Sequence, residues 1–550
     1  MDYDVVIVGA GCAGLATAIR LKTEAAKQQK DISVCVLEKG EMVGSHILSG
    51  CLFDPAPLNT LLPNWKELDP PITQKVTQES MRFFFSQENS CSIPSSLIPK
   101  PTRHTNHYIV SLSNVTRWLG EIAEQHGVDI FTDTGVSSLL LEQNRAVGVI
   151  TVDKGIDPQG NPKDDFLPGY EIRGKSIVLA EGALGSVTES AIRQFHLESK
   201  GVRTYGLGMK EVWELQNSEE LAGKVIHTLG YPLQRGLNDS LYGGGFLYFQ
   251  EPNLLHIGYV IVGLDYEDTF ISPYEEFQLF KQLDFVSAFL RKGERLEYGA
   301  RVIYEGGLLG QIAPAFPGGL IVGESLGVMN MLSLQGSHNA IETGILAADS
   351  LLEEWESLAP GSVSKAFPAK LEKSRMRKEL YNSRSSRAMF HAGLLSGMFY
   401  SFVSGTLLGN RNLFTHYLPP GMDWEKTKTA KESEKCIRRG YQKPDGVVSF
   451  DRESSLALSS VEYPEELSHI RVKKGMEQVP VDYSLKEYDA PEQRFCPANV
   501  YEYVKNDEGK VSLKIHNENC IHCKTCVVKT PKQFVEWTVP SSGGPNYSGM

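Results

Sequence analysis

Val5-Val6-Ile7-Val8-Gly9-Ala10-Gly11-Cys12-Ala13-Gly14 is the stretch that decides the fold. Its apolar, β-branched opening predicts a buried parallel strand, and Leu15 to Leu21 behind it carries helical spacing. Between them, Gly9-x-Gly11-x-x-Gly14 supplies a tight turn, close backbone approach to a pyrophosphate, and helix packing. The helix N-terminus that it opens offers unpaired N–H donors to phosphates. Residues 32 to 37 predict a second strand ending at Glu38, 24 residues beyond Gly14, where an acid suits a ribose hydroxyl. Strand, helix, strand and terminal acid in this order predict a dinucleotide-binding βαβ unit rather than a glycine-rich turn without a ligand.

The chain around this unit has 550 residues, is 41% hydrophobic and 22% charged, and carries a net charge of −12. That is ordinary globular composition with room for several domains, and an acidic balance without a basic block excludes nucleic acid as a partner. Four of the nine cysteines fall in the last 55 residues, unlike a secreted disulfide scaffold, so a reducing compartment is expected. Met1-Asp2-Tyr3-Asp4 runs straight into the first strand without the features of a signal peptide, leaving a removed organelle presequence as the alternative.

Two later segments favour FAD over NAD. Ile177-Val178-Leu179-Ala180-Glu181-Gly182 and Gly318-Gly319-Leu320-Ile321-Val322-Gly323-Glu324 resemble the strand-plus-Ala-x-Gly and strand-plus-Gly-Asp segments of two-dinucleotide-fold flavoproteins, with Glu324 standing where the Asp usually is. The expected FAD contacts are Gly9, Gly11, Gly14, Glu38, Ala180, Gly182, Gly323 and Glu324. Cys12, Cys35 and Cys51 are expected to act as small hydrophobes within the flavin unit. His46 and His338 are expected to be packing or surface residues, and no catalytic side chain is assigned.

Cys520-Ile-His-Cys523-Lys-Thr-Cys526 is the C-x2-C-x2-C run that delivers three thiolates to one cubane cluster. Bacterial ferredoxins continue it to a further Cys-Pro serving a second cluster, but here that position is Thr530-Pro531, so a single cluster is expected. Cys496-Pro497 repeats the Cys-Pro signature and is preferred over Cys436 as the fourth ligand. One [4Fe-4S] cluster on Cys496, Cys520, Cys523 and Cys526 is the expectation, against a four-cysteine zinc knot. His522 is expected to be a solvated spacer.

Short Gly-punctuated apolar runs from 241 to 263 predict an antiparallel sheet, and Tyr242-Gly243-Gly244-Gly245-Phe246-Leu247-Tyr248 has the bare backbone and apolar flanks that a quinone headgroup would need; a plain hairpin is the alternative. Residues 389 to 409 contain no formal charge and are flanked by Arg384, Arg387 and Arg411, which reads either as a membrane-contacting surface or as a buried helix pair. A flavin exchanges electrons singly or in pairs and a cluster one at a time, so a chain with both is suited to joining a one-electron carrier to a two-electron acceptor.

With these segments in view, the chain closely resembles the electron-transfer flavoprotein:ubiquinone oxidoreductase family. The resemblance is carried by Gly44-Ser-His-Ile-Leu-Ser-Gly50, Tyr242 to Tyr248, Val262-Gly-Leu-Asp-Tyr266, Tyr298-Gly-Ala-Arg301, Glu305-Gly-Gly307, Phe316-Pro-Gly-Gly319, Pro491 to Pro497 and Cys520 to Cys526. It implies an α+β and α/β molecule: a two-dinucleotide-fold-type FAD domain (1–60, 100–190 and 310–357) with an inserted quinone-binding β-sheet domain (61–99 and 191–309). A helical membrane-contacting segment (358–421), a linker (422–446) and a C-terminal [4Fe-4S] ferredoxin-like domain (447–550) would follow. Gly243 and Gly244 would lie at the quinone headgroup. The implied partners are electron-transfer flavoprotein, ubiquinone and a membrane surface, on the cytoplasmic face of a bacterial inner membrane or, alternatively, the matrix side of the mitochondrial inner membrane. Ser111 stands where the family commonly has Arg, and Arg117 is the candidate to supply that charge. The rival readings are a geranylgeranyl-reductase-like flavoprotein, disfavoured by the fused cluster domain, and a cluster-bearing electron carrier without quinone turnover.

Overall fold

The structure is a computed structural model that describes residues 1–50, 52–235, 241–409, 411–412, 414–436 and 440–550, so Cys51 lies outside the described residues. The Val-rich opening forms the strand Asp2–Val8, which pairs in parallel with Val34–Leu37 on one side and Glu171–Leu179 on the other. Gly319–Ile321 and Asp129–Phe131 extend this parallel layer, Ala315–Phe316 adds an antiparallel edge beside Gly319–Ile321, and Val136–Glu142 and Arg145–Thr151 attach as an antiparallel wing, giving an eight-stranded sheet. The helices Cys12–Lys27 and Ser337–Glu353 pack closely against each other, Gly344 lying so near Ala13 that a Cβ there would fall 2.4 Å from its carbonyl oxygen. The crossover helix and parallel strands expected from the opening stretch are therefore present, as is the α/β class.

A second, seven-stranded sheet runs in the order Glu294–Tyr304, Tyr205–Glu214, Leu254–Val262, Tyr242–Gln250, Lys224–Gly230, Gln78–Phe84, Ser90–Ile93. It is antiparallel except where Gln78–Phe84 joins Lys224–Gly230 in parallel, the mark of a strand reached by a long connection. The helix Pro273–Lys281 covers one face and is tied down by a buried ion triad: Lys281 Nζ sits 2.8 Å from Glu211 Oε1, with Arg295 Nη1 at 3.4 Å.

The residues that follow return to this sheet. Short strand pairs, Ile470–Val472 with Val535–Trp537 and Tyr501–Lys505 with Val511–Ile515, frame the cysteines. One apolar core runs from the seven-stranded sheet through Tyr298 and Val302 to Phe495, Phe534 and the four cysteines. Residues 547–550 fold back on the flavin unit: Ser111 Oγ and Ser113 N donate to the Met550 carbonyl, and Arg117 donates to the carbonyls of Tyr547 and Ser548. This corrects the expectation for Arg117, whose guanidinium holds that returning segment, while Ser111 caps the helix Leu112–Gln125.

Against the Tyr242 end of the seven-stranded sheet lie the helices Ser386–His391 and Leu394–Phe402, Phe390 stacking on Tyr242 and Arg387 pairing with Asp265. Leu394, Gly397 and Tyr400 face inward, whereas Leu395 and Phe399 are 54% and 72% exposed, with Leu407 exposed beyond them. The uncharged segment is thus neither a spanning helix nor a wholly buried pair. Among the described residues no helix is long and apolar enough to cross a membrane.

Candidate functional site

The glycine loop builds the first wall of the site. Gly9 adopts a left-handed φ of +105° and presses on the Ala180 carbonyl, and a Cβ on Gly14 would fall 2.1 Å from the Gly9 oxygen, so Gly14 serves helix–strand packing and does not face the cavity. Gly11 opens on empty space and precedes the helix Cys12–Lys27 without a side-chain cap, leaving its amide donors to a ligand. Glu38 is fixed at the end of the second strand by accepting Ala10 N and Gly40 N, both at 2.9 Å. Gly323, at φ +64°, packs on Ala13 and donates to Thr343 Oγ1, positioning Glu324 rather than lining the site itself. Glu324 does line it, accepting Tyr304 N at 3.0 Å, and burial pushes its carboxyl up to about 8.

A cavity of about 1070 Å³ starts at Gly9, Gly11 and Glu38, passes Ala180 and Gly182, reaches Gly243 and Gly244, and ends at Phe390, Leu395 and Phe399. The strand Tyr242–Gln250 that carries the glycines sits between two neighbours so close that a Cβ on Gly243 would meet the Val260 carbonyl at 2.0 Å and one on Gly244 the Thr228 carbonyl at 1.9 Å. At the far end Arg387 pairs with Asp265 at 2.6 Å and stands 3.3 Å from Glu305. Burial pushes the Glu305 carboxyl up to about 8 despite Arg387, whereas Arg387 and His391 outweigh burial at Asp265 and hold its carboxyl well below the usual range.

In the middle stand residues that the sequence reading passed over. Lys39 Nζ lies 2.7 Å from His46 Nδ1 and 2.9 Å from His522 Nδ1, and burial, with Arg301 near, pulls its ammonium down to about 7. Burial likewise pulls Lys524 down to about 8. Buried cations converging on a cavity with a bare helix N-terminus fit an anionic dinucleotide such as FAD. His522 is not a solvated spacer: its ring is buried among His46, His469, Tyr463 and Trp537 because the loop between the cysteines turns inward. His46 likewise belongs to the cavity wall and not to the surface; the signal was its place in the motif Gly44 to Gly50.

Cys496, Cys520, Cys523 and Cys526 line one small enclosed pocket, all buried and none in a disulfide, while Cys436 does not line it. Burial pushes each thiol up, an arrangement that an iron–sulfur cluster relieves by taking thiolates as ligands. Among the described residues the only trio of ligand atoms within 4.8 Å of one another is Glu79, His104 and His227. No three of the four sulfurs lie that close to one another. His522 N donates to Cys520 Sγ and Thr525 Oγ1 to Cys523 Sγ, both at 3.4 Å. Thr530, at the ferredoxin cysteine position, uses its hydroxyl to close the helix Thr525–Lys529. Lys524 and Trp537 line both this pocket and the large cavity, so the two adjoin at those side chains.

A glycine-loop dinucleotide fold opening on a cavity that shares a wall with a four-cysteine pocket defines a flavin and iron–sulfur redox protein. Family models agree: a Rossmann-like NAD(P)-binding domain matches residues 7–60, an ETF-QO ubiquinone-binding domain 205–303, and an electron transfer flavoprotein-ubiquinone oxidoreductase 4Fe-4S domain 446–548. The chain is 40% identical to electron transfer flavoprotein-ubiquinone oxidoreductase of Pseudomonas aeruginosa, over all of this chain and 99% of that one, and 40% identical to the mitochondrial protein of Bos taurus, over all of this chain and 89% of that one. It belongs to the electron transfer flavoprotein-ubiquinone oxidoreductase family. Among solved structures, a geranylgeranyl bacteriochlorophyll reductase-like protein from Thermoplasma acidophilum shares the fold at a TM-score of 0.52 and 15% identity, covering 74% of this chain and 97% of that one.

Proposed function

We propose that this chain accepts electrons from reduced electron-transfer flavoprotein and reduces ubiquinone to ubiquinol. The observation that carries the reading is the single cavity joining the dinucleotide fold, the glycine strand and an exposed apolar helix, with Lys524 and Trp537 lining both it and the cysteine pocket. FAD supplies one- and two-electron chemistry and the [4Fe-4S] cluster one-electron chemistry when bound. Gly9, Gly11 and the following helix N-terminus hold the pyrophosphate, Glu38 the ribose, and Ala180, Gly182 and Glu324 the rest of the FAD, with Gly14 and Gly323 setting the backbone that presents them. Cys496, Cys520, Cys523 and Cys526 are the cluster ligands. Gly243 and Gly244 present bare backbone to the quinone headgroup, and Tyr242 and Phe390, stacked at 5.0 Å, lead its apolar tail outward.

Leu395, Phe399 and Leu407 make the exposed apolar face that dips into one leaflet, so the protein is monotopic, and the quinone enters from the lipid at the cavity's Phe390 to Phe399 end. A bacterial inner membrane, on its cytoplasmic face, is the assigned location; relatives include both bacterial and mitochondrial proteins. The flavin domain spans 1–60, 100–190 and 310–357, the quinone domain 61–99 and 191–309, and the cluster domain 447–550. The test is Gly244→Ala: its Cβ must displace the Thr228 carbonyl, so KM for a short-chain ubiquinone analogue rises while flavin absorbance and the reduced-cluster paramagnetic signal persist. An unchanged KM would remove the headgroup from this strand.

A further inference from the structure

Beside the glycine strand runs a buried polar chain that neither cofactor site uses. Glu79 Oε2 accepts the backbone N–H of His104 at 2.7 Å, and Glu79 Oε1 stands 2.6 Å from His104 Nδ1. His104 Nε2 lies 3.0 Å from the Ser333 carbonyl. A carbonyl only accepts, so Nε2 carries a hydrogen, and the short contact of the other ring nitrogen with a carboxylate requires a further proton held between Glu79 and His104. His227 then places Nδ1 3.8 Å from the same Glu79 oxygen and Nε2 2.9 Å from the Tyr248 hydroxyl.

His227 and Tyr248 both line the cavity. His227 pairs directly with Phe246 across the sheet, which sets it on the diagonal from Gly244, about 7 to 8 Å away. Its neighbour Thr228 accepts Gly245 N at 2.8 Å, tying the two strands together beside the headgroup position. The titratable groups facing His227 are Glu79 from the strand Gln78–Phe84, His104 from the loop leading to Tyr108–Ile109 and Tyr248 from the glycine strand; behind His104 stands His107, which in turn feels Asp54 and His338. Burial, then His104, pull His227 down to about 4, so its ring is neutral at physiological pH, one nitrogen free to take a proton as the other gives one.

We infer that His227 and Tyr248 form the inner end of a proton relay to the quinone, charged by the Glu79–His104 pair. The inference rests on the headgroup lying at Gly243 and Gly244. Ubiquinone takes two electrons, which the donor flavoprotein supplies, and two protons, and two O–H bonds form. The relay delivers one of those protons: the Tyr248 O–H breaks as a headgroup O–H forms, His227 Nε2 passes its hydrogen to the tyrosine oxygen, and His227 Nδ1 takes the proton held by Glu79 and His104 through a water bridging the 3.8 Å gap, the ring returning to its starting tautomer before the next turnover. Glu79, partly exposed, recovers it from water. Solvent water supplies the second.

The test uses the detergent-solubilised holoenzyme with His227→Gln and Tyr248→Phe, flavin absorbance and the cluster signal reporting folding. In each, kcat with the ubiquinone analogue falls about tenfold or more with KM nearly constant, the solvent deuterium isotope effect grows, and imidazole partly restores His227→Gln. With ferricenium, which takes an electron and no proton, the rate holds. Wild-type kcat in both variants, or an equal loss with ferricenium, overturns the relay. If Gly244→Ala leaves the quinone KM unchanged, the headgroup placement fails and the relay with it; if that KM rises while His227→Gln turns over normally, the relay alone fails.

Discussion

A buried cysteine thiol is held up by desolvation, and four of them round one pocket make an arrangement that a cluster relieves by taking them as thiolate ligands. Cys523→Ser therefore abolishes the reduced-cluster paramagnetic signal while bound FAD, seen by its visible absorbance, remains; a retained signal would remove Cys523 from the ligand set. Glu305 carries a second prediction. Its folded-state pKa, raised to about 8 by burial, means that the native protein keeps a proton that the unfolded chain releases above the ordinary carboxyl range. Stability from this group is present at low pH and is lost as pH rises toward about 8. Glu305→Gln thus changes stability little near pH 5 and raises it at pH 9 relative to wild type, by more than about 1.4 kcal/mol, the worth of one pKa unit; denaturant melts at the two values check it. At this scale the sequence spoke through spacing. Cys520, Cys523 and Cys526 declare themselves because a cubane needs that spacing, whereas Glu305, Lys39 and His522 acquire their character from burial alone, which no short motif encodes.

Elements carry the proposed membrane contact and part of the stability. The helix Leu394–Phe402 buries Leu394, Gly397 and Tyr400 and turns Leu395 and Phe399 outward. Leu395→Ser with Phe399→Ser should abolish co-sedimentation with phospholipid vesicles while leaving the flavin and cluster spectra intact; undiminished vesicle binding would place the membrane contact elsewhere. The helix Pro273–Lys281 depends on its ion triad. Lys281→Met leaves Glu211 in the apolar interior with only Arg295 at 3.4 Å to offset its charge, beside the Trp213 Nε1 donor at 2.7 Å, and should cost about 3 to 5 kcal/mol in denaturant melts. The strand, glycine loop and helix of the opening were legible because strand and helix periods differ and the loop between them obeys a rule. The uncharged run 389–409 was ambiguous because absence of charge does not say which side of a helix faces out; packing of Gly397 against the Phe390 ring settles that.

At the scale of the whole molecule, the two sheets and the cysteine domain share walls rather than linkers. Val302 N donates to the Cys523 carbonyl at 3.0 Å, Lys524 Nζ to Leu184 O at 2.6 Å, and Arg117 clasps residues 547 and 548 from the flavin unit. Arg117→Ala should lower stability by about 2 kcal/mol, the worth of charge-assisted hydrogen bonds, and loosen the cluster domain as seen by hydrogen exchange. Fold class and cofactors were legible from motifs, but the cavity was not, because Gly9, Gly243 and Phe399 meet only through the register of two sheets. The central claim is that these parts serve one reaction. It is tested most directly by mixing enzymatically reduced cognate electron-transfer flavoprotein with the detergent-purified holoprotein, with and without a short-chain ubiquinone analogue. The structure predicts that the donor is continuously reoxidised only when the quinone is present; cofactor-replete protein that leaves the donor reduced in its presence would contradict it.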